Sequence, residues 1–338
     1  MKKILMLATG GTIASRQTEA GLTPVLTSEE LMSYVPEVGG FCRFDTRQLL
    51  NLDSTNIQPE HWLLMERAIE DAWDKYDGFV ICHGTDTMAF TAAALSYLIP
   101  DSPKPIVVTG AQKPIDMPVT DARTNLSDAF RYAVYPGARG VQIVFDGKVI
   151  LGTRAKKTRT KSYNAFSSIN YPYLAIIQDG RVLPYIERHG RAEPVFHREL
   201  DDKVALLKLI PGTSAEILSY MLEKCDAVVI ESYGAGGVPY HEQYHFFDEI
   251  DKWEGQGKTI VMTTQVPNEG SDMTIYKVGH EIKERYGLIE AYDMTLEAAV
   301  TKLMWALALA KDRAGIKRLF YTPVDHDLLY PIDTEGNS

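Results

Sequence analysis

The sequence predicts an α/β protein of two doubly wound domains with mainly parallel sheets, a larger N-terminal domain and a smaller C-terminal one. Three observations carry that expectation. Apolar runs of strand length alternate with stretches of helical period along the chain. Several of those runs stop in turns of small and polar residues, among them Thr9-Gly10-Gly11-Thr12, Asp53-Ser54-Thr55 and His83-Gly84-Thr85-Asp86. Open α/β sheets bind ligands at that end of their strands. The alternation lapses once, from about Gln178 to Asp202, where charge, Pro184, Gly190 and Pro194 replace any period. The expected organisation is an N-terminal domain over 1–177, a linker over 178–203 and a C-terminal domain over 204–338.

A chain of 338 residues has ample core for two such domains. Its formal net charge of -10 argues against a nucleic-acid or anionic-membrane partner. Cys42, Cys82 and Cys225 are widely spaced without a CxxC, which fits reduced thiols in the cytoplasm better than disulfides or zinc. Met1-Lys2-Lys3 and the short apolar run behind it end in Thr-Gly-Gly-Thr, so they read as a first strand, not a signal peptide. No stretch is long and apolar enough to cross a bilayer.

In order, the first strand runs from Lys3 to Ala8, and the aperiodic segment from Arg16 to Thr27 is expected to be a loop. Ser28-Glu29-Glu30-Leu31 starts a short helix, and Thr46 to Leu52 is a strand. Pro59 sits in the first turn of a helix whose Trp62, Met65, Ile69 and Ala72 recur at helical spacing. The run Gly78-Phe79-Val80-Ile81-Cys82 is a strand, followed after Met88 by a helix through Tyr97. Pro105 to Gln112 is a strand with a small-residue turn, Asn125 to Ala133 a helix, and Gly140 to Phe145 a strand. Asp146-Gly147 is a strong hairpin signal into Val149-Ile150-Leu151. Beyond the linker, strands are expected at Val204 to Leu209, Ala227 to Ile230 and Thr259 to Thr264. Helices are expected after Pro211-Gly212-Thr213-Ser214 through Lys224, from Glu242 to Trp253, and after Asp293-Met294-Thr295 as the terminal helix.

The polar turns hold the candidate chemistry. A phosphate-loop reading of Thr9-Gly10-Gly11-Thr12 fails, because neither GxGxxG nor GxxxxGK[ST] is present. Gly10 and Gly11 either permit a sharp turn or let another backbone approach closely. Asp86 and Thr87 either cap the helix that follows, or Thr85 and Asp86 offer a hydroxyl and a carboxylate to a ligand. His83 reads as a packed strand-end residue, since no partner carboxylate lies nearby to make it a base. Arg154, Lys156, Lys157, Arg159 and Lys161 read mostly as a solvated basic face. A single lysine among them, buried beside a threonine hydroxyl, would serve as its base. No spacing of His, Asp or Glu resembles a metal site, and Trp305 reads as core.

At these residues the chain resembles the asparaginase/glutaminase family that uses a threonine nucleophile, and within it the cytoplasmic type I group of bacteria and archaea. Thr9-Gly10-Gly11-Thr12-Ile13-Ala14 is similar to one signature and Gly78-Phe79-Val80-Ile81-Cys82-His83-Gly84-Thr85-Asp86-Thr87-Met88 to the other. Both together, in that order, are very specific. Asn51–Thr55, Val107–Gln112, Arg154–Lys157 and Ser232–Gly237 also fall where that family has counterparts, so the likeness covers nearly the whole chain.

The resemblance implies that Thr12 attacks a side-chain amide and that Thr85, Asp86 and Lys157 form a hydrogen-bonded set which eases deprotonation of a hydroxyl. It implies backbone N–H groups of Gly11 and Thr85 as oxyanion donors. Asp86 would pair with the substrate α-ammonium, while Ser54 and the Asp53–Thr55 turn would hold its α-carboxylate. Ala111 would offer its carbonyl to the leaving amide. No cofactor is implied, and the partners are L-asparagine and further copies of the chain, as a dimer or a dimer of dimers. Two departures stand out. Many family members carry a tyrosine in the loop after the first signature, whereas the matching position here is Leu22, so either the loop acts only as a lid or another tyrosine supplies the hydroxyl, with Tyr276 the candidate. The arginine and cysteine of a known allosteric asparagine site correspond here to Glu231 and Val266, so no activation through that site is expected. Dual or preferential glutaminase activity is the alternative within the same chemistry. The amidase component of a tRNA-dependent amidotransferase and a non-catalytic amino-acid sensor are the others. Those amidase components carry extra N-terminal sequence, whereas the first strand here starts at Lys3, and the acidic balance gives no RNA footprint. The four residues Thr12, Thr85, Asp86 and Lys157 together argue against a sensor.

Overall fold

The structure is a computed structural model, which describes every residue except 19–20, 189, 276 and 330–338. The chain forms two compact units, Met1–Arg198 and Glu199–Ser338. The first contains strands β1 (Lys3–Gly10), β2 (Ser15–Thr18) and β3 (Gly21–Pro24), helix α1 (Ser28–Ser33), β4 (Arg43–Leu52), α2 (Pro59–Ala72) and β5 (Gly78–Cys82). It continues through α3 (Met88–Leu98), β6 (Pro105–Thr109), α4 (Ala122–Val134), β7 (Gly140–Phe145), β8 (Lys148–Leu151), β9 (Ala155–Lys157), β10 (Phe166–Ser168), β11 (Ala175–Gln178) and β12 (Arg181–Pro184).

Eight of these strands make one sheet in the order β12-β11-β8-β7-β6-β5-β1-β4. From β7 to β4 all neighbours are parallel, and β8, β11 and β12 continue the sheet antiparallel. The parallel strands are apolar because both of their faces are covered. Every residue of β5, β6 and β7 is buried. Ile4, Met6, Val80, Cys82 and Val107 pack in one core with Leu126, Ala129 and Phe130 of α4. The alternate residues Leu5, Leu7, Phe79 and Ile81 are equally buried and turn to the other face, as the two-residue period of a strand requires. After β1 the chain steps outward to β4, then returns to the other side of β1 as β5. The sheet therefore reverses its winding between β1 and β5, which opens a crevice at their carboxyl ends.

The second unit is a four-stranded parallel sheet, β13 (Val204–Lys208), β14 (Ala227–Ser232), β15 (Thr259–Thr264) and β16 (Ile289–Glu290), in that order. Its helices are α5 (Glu216–Lys224), α6 (Phe246–Trp253), α7 (Lys277–Tyr286), α8 (Leu296–Leu309) and α9 (Arg313–Tyr321). The expected fold class holds: mixed α/β, mainly parallel, with the larger unit first.

Several local expectations differ from the structure. The segment expected to be a loop after Ser15 contains the antiparallel strand pair β2 and β3. Residues 178–203 are not one linker, because Arg181–Pro184 pairs antiparallel with β11 and the first unit ends at Arg198. The turn joining those strands is Asp179-Gly180, with φ of 49° and 70°. Asp146-Gly147 adopts the same form, at 51° and 68°. Positive φ at both positions is the hairpin geometry that Asp-Gly favours. The helix expected from Glu242 starts only at Phe246, because His245 takes a left-handed φ of 53°. Asp293-Met294-Thr295 does open α8, with Thr295 accepting the Ala298 N–H, but α9 follows it.

Candidate active site

Glycine backbones draw the strand ends together in the crevice between β1 and β5. Gly11 follows β1 with φ 78°, and a Cβ there would lie 2.3 Å from Gly84 Cα. The turns after β1 and β5 thus touch backbone to backbone, and only glycine permits both the dihedral and the distance. Thr12 and Thr85 are the next residues of the two turns. Gly84 in turn backs onto the Ser54 hydroxyl after β4, and Gly110 after β6 onto the His83 carbonyl, where a Cβ would fall 2.1 Å away. Four strand ends therefore close around one small region. Thr12 opens a single 3-10 turn, Thr12–Ala14, anchored by buried Ile13 and Ala14, and is itself half-buried.

The polar set is assembled by β9, which delivers Lys157. Lys157 Nζ donates to Thr85 Oγ1 at 2.7 Å and to Asp86 Oδ1 at 2.6 Å. The lysine side chain is 17% exposed and the aspartate 58%, so the pair opens towards solvent on the carboxylate side. Thr85 Oγ1 donates to Gln112 Oε1 at 3.3 Å, and Gln112 Nε2 donates to the Ser162 carbonyl at 3.1 Å. Gln112 joins the set, although its sequence motif alone gives it no role. Its place depends on the β6 turn meeting the β5 turn, a pairing that no local pattern announces.

Asp86 does not cap α3. The N-cap residue is Thr87, without a side-chain cap bond, and its hydroxyl donates instead to the Ser54 carbonyl at 2.7 Å. The Asp86 N–H donates to Ser54 Oγ at 3.2 Å, so buried Ser54 supports the carboxylate turn from behind. Asp53 and Thr55 behave differently from Ser54. Both are exposed, and Asp53 Oδ1 accepts the Thr55 N–H at 2.9 Å and its hydroxyl at 3.0 Å. These two hold the turn.

His83 is fully buried, and burial pushes its pKa down to about 4. Its Nδ1 lies 2.6 Å from the Gly84 carbonyl and must carry the hydrogen, because a carbonyl only accepts. Nε2 then accepts from Thr91 Oγ1 at 2.9 Å, and that hydroxyl accepts from Trp62 Nε1 at 3.0 Å. The ring is a neutral brace, as expected of a packed strand-end residue. The peptide it braces is trans, so the Thr85 N–H points away from the ring. That suits Thr85 as an oxyanion donor. Gly11 does not suit the same role, because its N–H already donates to the Leu52 carbonyl at 2.9 Å. The close strand pairing that lets Gly11 reach Gly84 consumes its donor.

Of the basic cluster, Arg154 is among the largest fully buried side chains, with its guanidinium 6.0 Å from the Tyr171 ring centre. That departs from the expected solvated face, which Arg159 and Lys161 do form. Glu231 is buried and paired with Lys208 at 2.9 Å, and Val266 is exposed. Tyr276 and the side chain of Leu22 lie outside the described residues. No helix among the described residues is long and apolar enough to cross a membrane.

Residues 3–188 match the family model described as asparaginase, N-terminal, and residues 203–320 match the glutaminase/asparaginase C-terminal domain. An L-asparaginase of Thermococcus kodakarensis is 43% identical over 94% of this chain and 96% of its own length. The solved structure of the thermostable L-asparaginase from that organism superposes with a TM-score of 0.90 at 40% identity, covering 97% of this chain and all of the other. One component of the glutamyl-tRNA(Gln) amidotransferase of Pyrococcus furiosus is 34% identical over 94% of this chain but only 75% of its own length. The structure of a probable cytoplasmic L-asparaginase from Campylobacter jejuni matches with a TM-score of 0.82 at 26% identity, over 95% of this chain and 99% of the other.

Proposed function

The chain belongs to the asparaginase/glutaminase family, and from that premise we propose that it is an L-asparaginase, releasing L-aspartate and ammonia from L-asparagine and water. The observation that carries this reading is the Lys157–Thr85–Asp86 set, bonded at 2.7 and 2.6 Å beside the turn that presents Thr12. Thr12 Oγ1 attacks the side-chain carbonyl carbon while its proton leaves through the neighbouring hydroxyl and amine. The carbonyl oxygen becomes an oxyanion opposite the Thr85 N–H. When it collapses, the C–N bond breaks, the nitrogen takes up a proton, and ammonia departs from an aspartyl ester on Thr12. Water then adds to the ester, giving its proton towards Thr85 and Lys157, and the Thr12 hydroxyl is restored. One difficult displacement becomes two easier ones.

The pocket walls suit a small zwitterion. Asp86, more than half exposed, faces the α-ammonium, and the Ser54 hydroxyl serves the α-carboxylate. Asp53 and Thr55 act on the Ser54 turn, since a carboxylate at Asp53 would repel the substrate's own. The Ala111 carbonyl accepts from the leaving amide. Asparagine is the substrate over glutamine, in line with the L-asparaginase relatives. No cofactor enters. The protein works in the cytoplasm as a homo-oligomer, a dimer or a dimer of dimers, without nucleic-acid or membrane partners. The reading is supported by the Campylobacter likeness, the reduced-thiol composition and the net charge of -10.

Ammonia release measured side by side with L-asparagine, L-glutamine and D-asparagine tests the reading. L-Asparagine is expected to be the best substrate. Thr12→Ala and Thr85→Val are each expected to lower kcat/KM by about 10³-fold or more with the fold intact. Wild-type turnover by either variant would overturn the assignment.

A further inference from the structure

Asp121 stands at the N-cap of α4, where an aspartate ordinarily turns back onto its own helix, yet it makes no side-chain cap bond. Its buried carboxylate is committed elsewhere. The Gln112 N–H is shared by Oδ2 at 2.9 Å and Oδ1 at 3.1 Å, and Oδ1 also accepts the Lys113 N–H at 3.1 Å. Asn125, one turn along the helix, donates from Nδ2 to Asp121 Oδ2 at 3.2 Å and to the Gly110 carbonyl at 2.9 Å. Asn125 Oδ1 is itself held by the Asp146 N–H at 2.9 Å. Thr120 closes the loop by donating to the Lys113 carbonyl at 3.1 Å.

These contacts grip the β6 turn on both sides of one group, the Ala111 carbonyl. That carbonyl and the Gln112 N–H belong to a single trans peptide, so they point in opposite directions. Pinning the N–H onto Asp121 aims the carbonyl away from the Asp121 carboxylate. We propose that Asp121 is a positioning and specificity-determining residue, which fixes the Ala111 carbonyl as an acceptor and so makes the site select a side-chain amide over a group with no hydrogen to donate. This rests on the reading of the site given above, in which that carbonyl meets the leaving nitrogen. His83 performs the mirror task on the Gly84–Thr85 peptide, where the carbonyl is pinned and the N–H presented. The two braces place a donor and an acceptor for the two ends of one carboxamide.

The test compares L-asparagine with the β-methyl ester of L-aspartate, whose leaving oxygen carries no hydrogen. Values of kcat/KM, read from ammonia and methanol release, report the acylation step. Asp121→Asn keeps one acceptor oxygen but sets an NH2 where Oδ2 accepts from the Gln112 N–H and Asn125 Nδ2, so the grip on the peptide loosens. It is expected to lower kcat/KM for asparagine about tenfold, the usual scale of one hydrogen bond, and to leave the ester within twofold. The amide-to-ester ratio then falls about tenfold, and Asp121→Glu restores most of it. A residue that only supports the fold would lower both substrates together, and that parallel loss overturns the proposal. If Asp121→Asn does not fold, Asn125→Ala carries the same test. It removes half of the clamp, and the ratio is expected to fall about threefold; an unchanged ratio overturns the proposal. A wild type that releases neither product sinks the functional reading and this inference together, whereas an active wild type with an invariant ratio sinks only the inference.

Discussion

Lys157 holds Asp86 at 2.6 Å in the first unit, and Lys302 holds Asp327 at 2.6 Å in the second. The two pairs differ in what surrounds them. The Lys157 and Asp86 side chains are 17% and 58% exposed, and the lysine shares its protons with a threonine hydroxyl. Lys302 and Asp327 are wholly buried. Lys302 on α8 also donates to the Thr322 carbonyl after α9, and Asp327 accepts the Val324 N–H, so this pair stitches helix, turn and C-terminal segment together. The same two residue types therefore serve opposite ends. A pair left partly open at a sheet's carboxyl edge keeps a hydroxyl and a carboxylate available to a ligand. A pair closed off from water has no vacancy and acts only on stability.

Removing the lysine separates the two. Lys157→Met is expected to lower kcat/KM for asparagine about 10³–10⁴-fold, the range of a lost acid–base group. Its melting temperature should stay within about 2 °C of wild type, because a half-exposed carboxylate tolerates the loss of its partner. Lys302→Met should do the reverse. It strands a buried carboxylate and is expected to cost about 3–5 kcal/mol of stability, read from a urea midpoint, with near-normal kcat/KM in the folded fraction. Adding Asp327→Leu to Lys302→Met should recover much of that loss, since a well-packed apolar pair often equals a buried ionic one. If Lys302→Met instead abolishes turnover at unchanged stability, the contrast between the pairs is false.

How far the site could be read from sequence follows the same division between local and distant placement. Thr12, Ser54, Thr85 and Asp86 were legible because each directly follows or ends a strand-turn pattern, and the sheet edge gathers such turns together. Lys157 was legible only through resemblance, since five basic residues lie within eight positions and their period does not say which one turns inward. Arg154, buried among them, shows how little that stretch reveals. Gln112 and Asp121 were missed for a related reason. Their roles depend on contacts across the β6 turn and on α4 passing behind it, and Asp121 read locally is only a helix cap. A glycine turn such as that at Gly11 looks open in sequence, whereas its N–H completes the pairing with Leu52. For the fold, the parallel strands announced themselves as apolar runs, but β12 lay in a charged stretch whose Asp179-Gly180 turn was the overlooked signal.

A third kind of acidic residue sharpens the comparison by the smallest expected effect. Glu66 on α2 is buried, and neither carboxylate oxygen has a hydrogen-bond partner among the described residues. Burial, assisted by the charge of Glu70, raises its pKa from 4.5 to about 7. The folded state thus keeps a proton that the unfolded chain has released. The resulting stability is present below pH 4.5 and is lost as pH rises through 7. His83 slopes the other way, because its pKa falls from 6.5 to about 4 on folding. Its contribution is present above pH 6.5 and is lost as pH falls towards 4. Between pH 4.5 and 6.5 the two slopes oppose each other, and each hides the other in the wild type. Glu66→Gln removes one of them. The variant is expected to gain stability relative to wild type as pH rises to 8, on the order of 1–3 kcal/mol. It should also lose stability more steeply than wild type on the acid side, where His83 then acts alone. Melting curves from about pH 4.5 to 8.5 measure both limbs. Profiles that stay parallel would mean Glu66 is already ionised in the folded protein, and that a carboxylate can remain charged at this depth without the lysine that Asp327 requires.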